Sequence, residues 1–419
     1  MSALLEAPPR AERSTPARLL PDEPLRLAAF ARRYGPLPAV TDELLEAVEL
    51  SGLTGRGGAG FPTARKLRSV RAPRGAVVVA NGTEGEPVSA KDRALIERNS
   101  HLVIDGALVA ARLVRARRIV IAVGRAGGAA DALERALAER SDATSVSVAS
   151  VPDRFVAGEE SALVHWLNGG EAKPTATPPR PFERGVGGRP TLVQNVETLA
   201  NLALIARHGA AWFRTEGTID EPGTVLATVS GAVAQPGVVE VPLGLPLTEV
   251  IAQCGGARGP LQAVLVGGYF GAWVRPSSDV RLSRASLGEA GGSLGARAVV
   301  ALGERSCGVV ETARVVTYMA EESAAQCGPC LFGLRALADC LQSIARCTDD
   351  AAWSYGRLER LERQIARRGA CAHPDGVLGL AASATRVFRG EFDRHLAGAC
   401  SALDHRPVLP TPRPEGGWR

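Results

Sequence analysis

Lysine is almost missing from this chain. Lys66, Lys91 and Lys173 are the only three, so arginine carries nearly all of the basic charge. The accompanying wealth of alanine and glycine makes this a compositional habit rather than a binding signature. A formal charge of +5 spread over 419 residues is too dilute for a nucleic-acid footprint. No arginine cluster is interleaved with aromatics, which are only 4% of the chain. An acidic protein partner stays possible. Long apolar runs are missing too: none reaches the roughly 18 residues that span a bilayer, and the opening MSALLEAPPRAERSTPARLL has charges and prolines where a secretory signal needs an unbroken apolar core. The expectation is a cytoplasmic protein with no direct membrane insertion. Eight cysteines are too few for a disulfide scaffold of this length, and an uneven cluster of them points to metal or redox chemistry.

What is present is ordinary globular material, with 45% apolar and 22% charged residues in a length that calls for several domains. Residues 1–36 alternate Pro, Arg and Ala and read as a flexible arm with a short helical stretch near Leu25 to Arg33. From Asp42 the pattern runs helix, Gly-rich loop, helix (Thr63 to Val70), β-branched run (Ala76 to Ala80), helix (His101 to Arg115), strand (Arg118 to Val123), helix (Ala129 to Arg140) and strand (Ser145 to Val151). That alternation predicts an α/β, Rossmann-like domain with a parallel sheet over residues 37–215. Ligands in such sheets bind beyond the carboxyl ends of the strands. Lys173 to Pro190 reads as a long loop. Short strands broken by Pro-Gly and Gly-Gly, with a helix from Leu247 to Cys254, predict a small β-grasp (SLBB-like) domain over residues 220–305. Helical periods then dominate residues 310–400, a C-terminal helix bundle. Residues 401–419, rich in Pro, Arg and Gly, read as a disordered tail.

Three segments carry cofactor chemistry. Gly55-Arg56-Gly57-Gly58-Ala59-Gly60-Phe61 precedes Pro62-Thr63 at a helix start, where backbone N–H groups and the helix dipole bind phosphate; a mobile surface loop is the alternative. Asn81-Gly82-Thr83-Glu84-Gly85-Glu86-Pro87 follows a buried strand, and an ordinary turn would look similar. Glu159 and Glu160 open a helix, where acidic residues also serve as simple caps. A fourth segment, Cys327-Gly328-Pro329-Cys330, has thiolates two residues apart, with Cys371 farther along. Cys340 and Cys347 read as bundle core, and Cys254, Cys307 and Cys400 have no ligand-like spacing.

Taken together, SGLTGRGGAGFPTARK, NGTEGEPVSAKDR, VAGEESAL, GRPTLVQNVETLAN, SGAVAQPGVVEVPLG and ESAAQCGPC make the chain resemble the flavin-carrying, NADH-oxidising subunit of bacterial NADH:quinone oxidoreductase (complex I) and its relatives in soluble hydrogenases and formate dehydrogenases. The resemblance spans roughly Glu49 to His395. It implies FMN held by the loop from Gly55 and Arg56 through Gly57, Gly58 and Gly60, and by Lys66. Asn81, Glu84, Gln194, Asn195 and Thr198 are its implied polar contacts. It places Phe61, Glu86, Glu159 and Glu160 around a nicotinamide site, where the protein holds two planar rings together and the cofactor does the chemistry. It further implies an iron–sulfur cluster on Cys327, Cys330 and Cys371.

The chain departs from the family pattern in four places. Ala324 stands where the first cluster cysteine belongs, leaving three thiolates for a 3Fe-4S cluster, for a 4Fe-4S cluster with an outside ligand such as Ser323 or Glu322, or for no cluster at all. Thr83 replaces an aspartate, and Ser69 and Gly187 stand in for aromatics; stacking faces are worth on the order of 1 kcal/mol each. The leading expectation is an FMN oxidoreductase that takes hydride from NAD(P)H and passes electrons through the iron–sulfur centre to a small ferredoxin-like or 2Fe-2S partner, within a small multi-subunit redox complex. The competing readings are a ferredoxin-fed flavoprotein without nicotinamide use and a non-catalytic member of such a complex.

Overall fold

The computed structural model describes residues 17–70, 75–402, 404–413 and 417–419. Helices α1 (Leu27–Tyr34), α2 (Glu43–Ser51) and α3 (Thr63–Val70) lead into β1 (Val77–Gly82), α4 (Lys91–Val114), β2 (Arg118–Gly124), α5 (Ala129–Ala138), β3 (Val146–Val151), α6 (Glu160–Leu167), β4 (Thr191–Asn195) and α7 (Val196–Phe213). The four strands form one parallel sheet in the order β3-β2-β1-β4. The near-continuous Val, Ile and Ala runs of its central strands β1 and β2 are what strands covered on both faces require. The chain winds outward from β1 through β2 to β3 and then returns to add β4 on the other side. The order therefore reverses between β1 and β4, the place where doubly wound sheets open a crevice for ligands.

Helix α4 begins ten residues before the periodicity predicts, for two reasons. Glu84 caps its start, accepting the N–H groups of Asp92 and Arg93 at 3.1 Å each. Asn99 then leaves helical dihedrals (φ −145°, ψ 48°), and its Nδ2 donates to Leu19 O and Tyr34 Oη, which hides the first turns from a periodicity reading.

Those bonds also correct the reading of residues 17–36 as a flexible arm; residues 1–16 lie outside the described residues. Leu19 and Leu20 are fully buried in the core beneath α4 and α7. The Glu240 carboxylate accepts the backbone N–H groups of Arg18, Leu19 and Leu20 at 2.9–3.2 Å. Local composition could not show this, because the anchoring groups lie far away in sequence.

A second, mixed sheet follows. Its strands β5 (Thr224–Gly231), β6 (Gly237–Pro242), β7 (Leu261–Val266), β8 (Ala272–Val274) and β9 (Ala298–Gly303) take the order β6-β5-β9-β7-β8, with α8 (Leu247–Ala252) and α9 (Arg284–Glu289) between them. The central pair β5/β9 is parallel and the other pairs are antiparallel. Strands β4 and β9 and helix α9 were not expected from the sequence. Period-2 alternation gives this sheet two apolar faces. Val225, Ala227 and Val299 pack toward α8 and α9, while Leu265, Trp273, Val300 and Leu302 pack on the helical region.

That region comprises α10 (Gly308–Glu321), a π-helical turn (Pro329–Gly333), α11 (Leu334–Ala345), α12 (Ala351–Ile365), α13 (His373–Val387) and α14 (Arg389–Leu396). The described residues beyond 401, expected to be disordered, are held across it. Val408 and Leu409 donate their N–H groups to Glu311 Oε2, Tyr269 Oη donates to Pro410 O, and the Trp418 carbonyl accepts from Ala172 N at 2.9 Å. No described helix is long and apolar enough to cross a membrane.

Helices α4 and α7 cross in close contact, and Gly106 is what lets them: a Cβ there would overlap the Leu199 carbonyl backbone. Overpacking typically costs 1–3 kcal/mol, and here the obstacle is main chain. Gly106→Ala should lower stability by about 3 kcal/mol and weaken soluble expression, read as a shift in the thermal unfolding midpoint against wild type.

Candidate flavin and iron–sulfur sites

The glycine loop joins α2 to α3 and is closed at its base by Gly55 N donating to Phe61 O at 2.9 Å. Its crest is exposed at Gly57, Ala59 and Phe61. Gly58 has φ +110° and Gly60 φ +59°, conformations that favour glycine. A Cβ on Gly57 would press within 3.2 Å of Asn195 Cβ. Beyond that closure the loop is fixed from below. Arg56 N donates to Thr198 Oγ1 at 2.7 Å, and the Arg297 guanidinium, from the second sheet, donates to the carbonyls of Arg56 and Gly55. The amides of Gly57 and Gly58 have no acceptor among the described residues. That is the donor set a phosphate needs, so the cradle fits FMN.

Around this loop the structure collects most of the expected residues at the carboxyl ends of β1 and β4. Asn81 and Asn195 are partners in register; Asn195 Nδ2 donates to Asp92 Oδ2 at 2.7 Å and lies 3.4 Å from Asn81 O, while its Oδ1 accepts Glu197 N at the start of α7. Gln194 Nε2 donates to Thr63 Oγ1 at 3.4 Å, and Asn81 Nδ2 donates to Gly158 O at 2.8 Å, joining the strand ends to the loop before α6. On α3, Lys66 pairs with Glu160 at 3.1 Å. Phe61 is 46% exposed, with the Arg65 guanidinium 5.6 Å from its ring centre, so one aromatic face is available at the cleft mouth. Thr83 Oγ1 donates to Asn81 Oδ1 at 2.5 Å. Ser69 and Gly187 are exposed and offer no ring.

Some expected residues point elsewhere. The Arg56 side chain is buried beneath the loop, donating to Pro222 O at 3.0 Å; its backbone alone faces the cradle. Thr198 Oγ1 is used by Arg56 N, Glu84 caps α4, and Glu159 caps α6 through Ser161 N and Ala162 N at 2.9 and 3.1 Å. Glu86 is held by the second sheet, accepting Tyr269 N at 2.7 Å. Burial, with the nearby Glu84 charge, pushes its carboxyl up to about 8. Near neutrality it is largely uncharged, a group that does not repel the phosphates of a dinucleotide.

The sequence reading missed the ionic layer under the loop. Lys91 Nζ bonds Asp92 Oδ1 at 2.6 Å and Glu197 Oε2 at 2.9 Å, all three nearly or fully buried. Burial pushes the Glu197 carboxyl up, but Lys91, Arg297 and Arg56 outweigh it and hold it below its usual range. Arg284 also leans over Gly60. A faint signal existed for Lys91, as one of only three lysines; Arg297 had none.

The cysteines assemble as expected. A cavity of about 320 Å³ is lined by Cys327, Cys330 and Cys371 with Ala324, Gln326, Ala370 and the strand of chain Pro174-Thr175-Ala176. Three thiol ligands around such a space fit an iron–sulfur cluster. Glu322 is not available as a further ligand: its Oε2 accepts from Arg154 Nε at 3.0 Å and Phe155 N at 2.8 Å. Ser323 Oγ accepts Ala325 N at 3.0 Å. Burial raises the Cys371 thiol, with the Glu159 charge adding to it, and Ser161 Oγ at the start of α6 accepts Thr175 N of the cavity wall at 3.0 Å, so the flavin side and the cysteine side are neighbours. Phe155 and Phe270 fill the space beside them, with ring centres 4.8 Å apart. Cys340 is buried in the bundle. Cys347 is not: it is half-buried, with its Sγ 3.4 Å from His395 Nδ1.

Because its folded-state pKa lies above the ordinary 4.5, Glu86 favours folding most when protonated, and stability should fall as pH rises from about 4.5 to about 8. Glu86→Gln should flatten that slope and raise the unfolding midpoint at pH 8 by at least about 1 kcal/mol equivalent. Thermal unfolding across this pH range measures both.

Comparison with known proteins fits this geometry. Residues 48–204 match the Nuo51 FMN-binding domain, residues 226–266 the SLBB domain, and residues 311–395 the NADH-ubiquinone oxidoreductase-F iron-sulfur binding region. The chain is 34% identical to an F-type NADH-quinone oxidoreductase subunit of Rhizobium meliloti over 85% of its own length and 89% of the relative's. It is 32% identical to the corresponding NADH-quinone oxidoreductase subunit of Streptomyces coelicolor over 91% of each. Among solved structures it resembles an NAD+-reducing [NiFe]-hydrogenase in the H2-reduced state, with a TM-score of 0.74 and 30% identity over 87% of this chain. The chain spans only 63% of that hydrogenase chain. The protein therefore belongs to the family of NADH-quinone oxidoreductase F subunits, with that family's FMN-binding, SLBB and iron–sulfur regions.

Proposed function

We propose that this chain oxidises NADH at an FMN held on the Gly55–Phe61 loop and delivers the electrons to an iron–sulfur centre on Cys327, Cys330 and Cys371. The observation that carries the reading is adjacency: the segment 158–161 bonds Asn81 and Lys66 on the loop side, and its Ser161 Oγ accepts from Thr175 N in the wall of the cysteine-lined cavity. FMN, when bound, supplies the conversion between two-electron hydride transfer and one-electron release. The chain's residues do the rest. The Gly57 and Gly58 amides and Lys66 would hold the phosphate, with Lys66 exchanging its Glu160 partner for the anion. Asn81, Gln194 and Asn195 would orient the ring. Phe61 would give the nicotinamide a face, and protonated Glu86 keeps the approach free of negative charge. The thinning of aromatics at Ser69 and Gly187 favours a second reading, a flavoprotein fed by a reduced ferredoxin and without nicotinamide use.

The acceptor would be a small ferredoxin-like or 2Fe-2S protein within a multi-subunit redox complex, consistent with relatives that are named as subunits. The setting would be cytoplasmic.

Anaerobic mixing of the FMN-loaded protein with NADH or NADPH should bleach the flavin absorbance within the mixing experiment, and reduced ferredoxin should do so no faster. Flavin that stays oxidised with both nucleotides but bleaches with ferredoxin would overturn the leading reading in favour of the second. In Cys371→Ala, iron content should fall while NADH still bleaches the flavin, which assigns the cysteines to the step after flavin reduction.

A further inference from the structure

At the end of the bundle away from the Cys327 cavity, four side chains that the flavin and cluster reading does not use converge. Cys307 precedes the first residue of α10, Glu391 and His395 lie one turn apart on α14, and Cys400 follows a turn at Gly398, φ +82°. Their ligand atoms all lie within 4.8 Å of one another, and Cys307 and His395 are buried. We propose that these four residues form a closed, tetrahedral site for one divalent ion, zinc by its ligand set.

The geometry is specific. Cys307 Sγ lies 3.3 Å from His395 Nε2 and 3.7 Å from Glu391 Oε1, and the nitrogen and oxygen are themselves 3.5 Å apart. With zinc bonds of roughly 2.3 Å to sulfur and roughly 2.0–2.1 Å to nitrogen or oxygen, the edges of a tetrahedron come to about 3.3–3.8 Å. Three donors thus already stand at coordination spacing. The tautomer is set as well. His395 Nδ1 lies 3.1 Å from Ile344 O, so the proton sits on Nδ1 and the Nε2 lone pair faces the cluster, the usual outer hydrogen bond of a metal-bound imidazole. Glu391 Oε1 is steadied by Ser401 N at 2.8 Å. Thiolate, imidazole and carboxylate together favour zinc over magnesium or calcium, and four protein ligands without an open position mark a structural rather than catalytic site. Cys347, on the Nδ1 side of the ring, stands outside this set.

The sequence concealed the site because Cys307 is separated from the other three by the whole bundle. Helix α10 spans 14 residues between Cys307 and the chain approaching Cys327, about 21 Å at 1.5 Å per residue, so the two cysteine sites are at opposite ends of one helix. An ion here would fasten the start of α10 to α14 and to the segment that returns over Glu311.

Metal analysis of the purified protein tests this. Wild type should carry about one zinc per chain, retained through gel filtration with EDTA. His395→Ala and Cys400→Ser should lose it while keeping their FMN and iron. Cys371→Ala should do the opposite, losing iron and keeping zinc, which separates this site from zinc occupying the cluster cysteines. Should the first two variants be insoluble, wild type produced with cobalt should show the thiolate charge-transfer and tetrahedral d–d bands. Wild type without zinc or cobalt bands, or zinc that leaves with Cys371→Ala and stays in Cys400→Ser, would show a hydrogen-bonded thiol network and overturn the proposal.

Discussion

The structure depends on a buried ion group that lies directly under the glycine loop. Lys91, the first residue of α4, bonds both its neighbour Asp92 and Glu197 in the first turn of α7. Glu197 also accepts Leu226 N from β5 at 2.9 Å. One carboxylate therefore joins the two helices that cover the parallel sheet to the first strand of the second sheet. Buried charges are costly unless paired, and removing one partner of such a pair typically costs 3–5 kcal/mol. The group therefore fixes one relative arrangement of the two sheets, which is the arrangement that brings Arg297 under the carbonyls of Gly55 and Arg56.

The same group sets the electrostatics of the loop. Three cations, Arg56, Lys91 and Arg297, face two anions, Asp92 and Glu197, and Asp92 is itself driven toward its neutral form by burial. The layer sits where main-chain N–H groups are free at the surface. Glu86, raised by burial, adds no compensating charge from the cleft side. The outcome is a loop whose shape is held by glycine dihedrals and whose exposed amides are backed by buried cations that do not touch solvent.

Much of this was legible in sequence because it depends on local rules. The strands β1, β2 and β3 could be found from runs of branched residues, the helix starts from Pro62 and Glu159, and the glycine loop from its own composition. What stayed hidden depends on contacts across long separations. The burial of Leu19 and Leu20 needs Glu240, and the order of the Pro- and Arg-rich segment 404–413 needs Glu311. Arg56 and Thr198 appeared to be ligands because they sit in the right segments, yet they serve the loop from behind. A motif identifies which segment meets the cofactor; it does not say which atoms of that segment do.

Ala324 sits in a wall of the cysteine-lined cavity that is held from several sides. The alanine is buried at the cavity wall, in a turn where Ser323 Oγ accepts Ala325 N at 3.0 Å and Ala325 has φ +55°. A non-glycine residue at positive φ is costly, so the turn is kept by the contacts around it: Glu322 tied to Arg154 on one side and Cys330 in the core on the other. Arg154 in turn stacks 4.2 Å from the Trp418 ring, which also covers Lys173 beside the cavity wall at Pro174. The wall around Ala324 is therefore fixed by its neighbours, without a thiol at this position. Cys327, Cys330 and Cys371 would hold an iron–sulfur cluster, and the segment Pro174-Thr175-Ala176 after α6 builds the wall of that space together with the helical bundle.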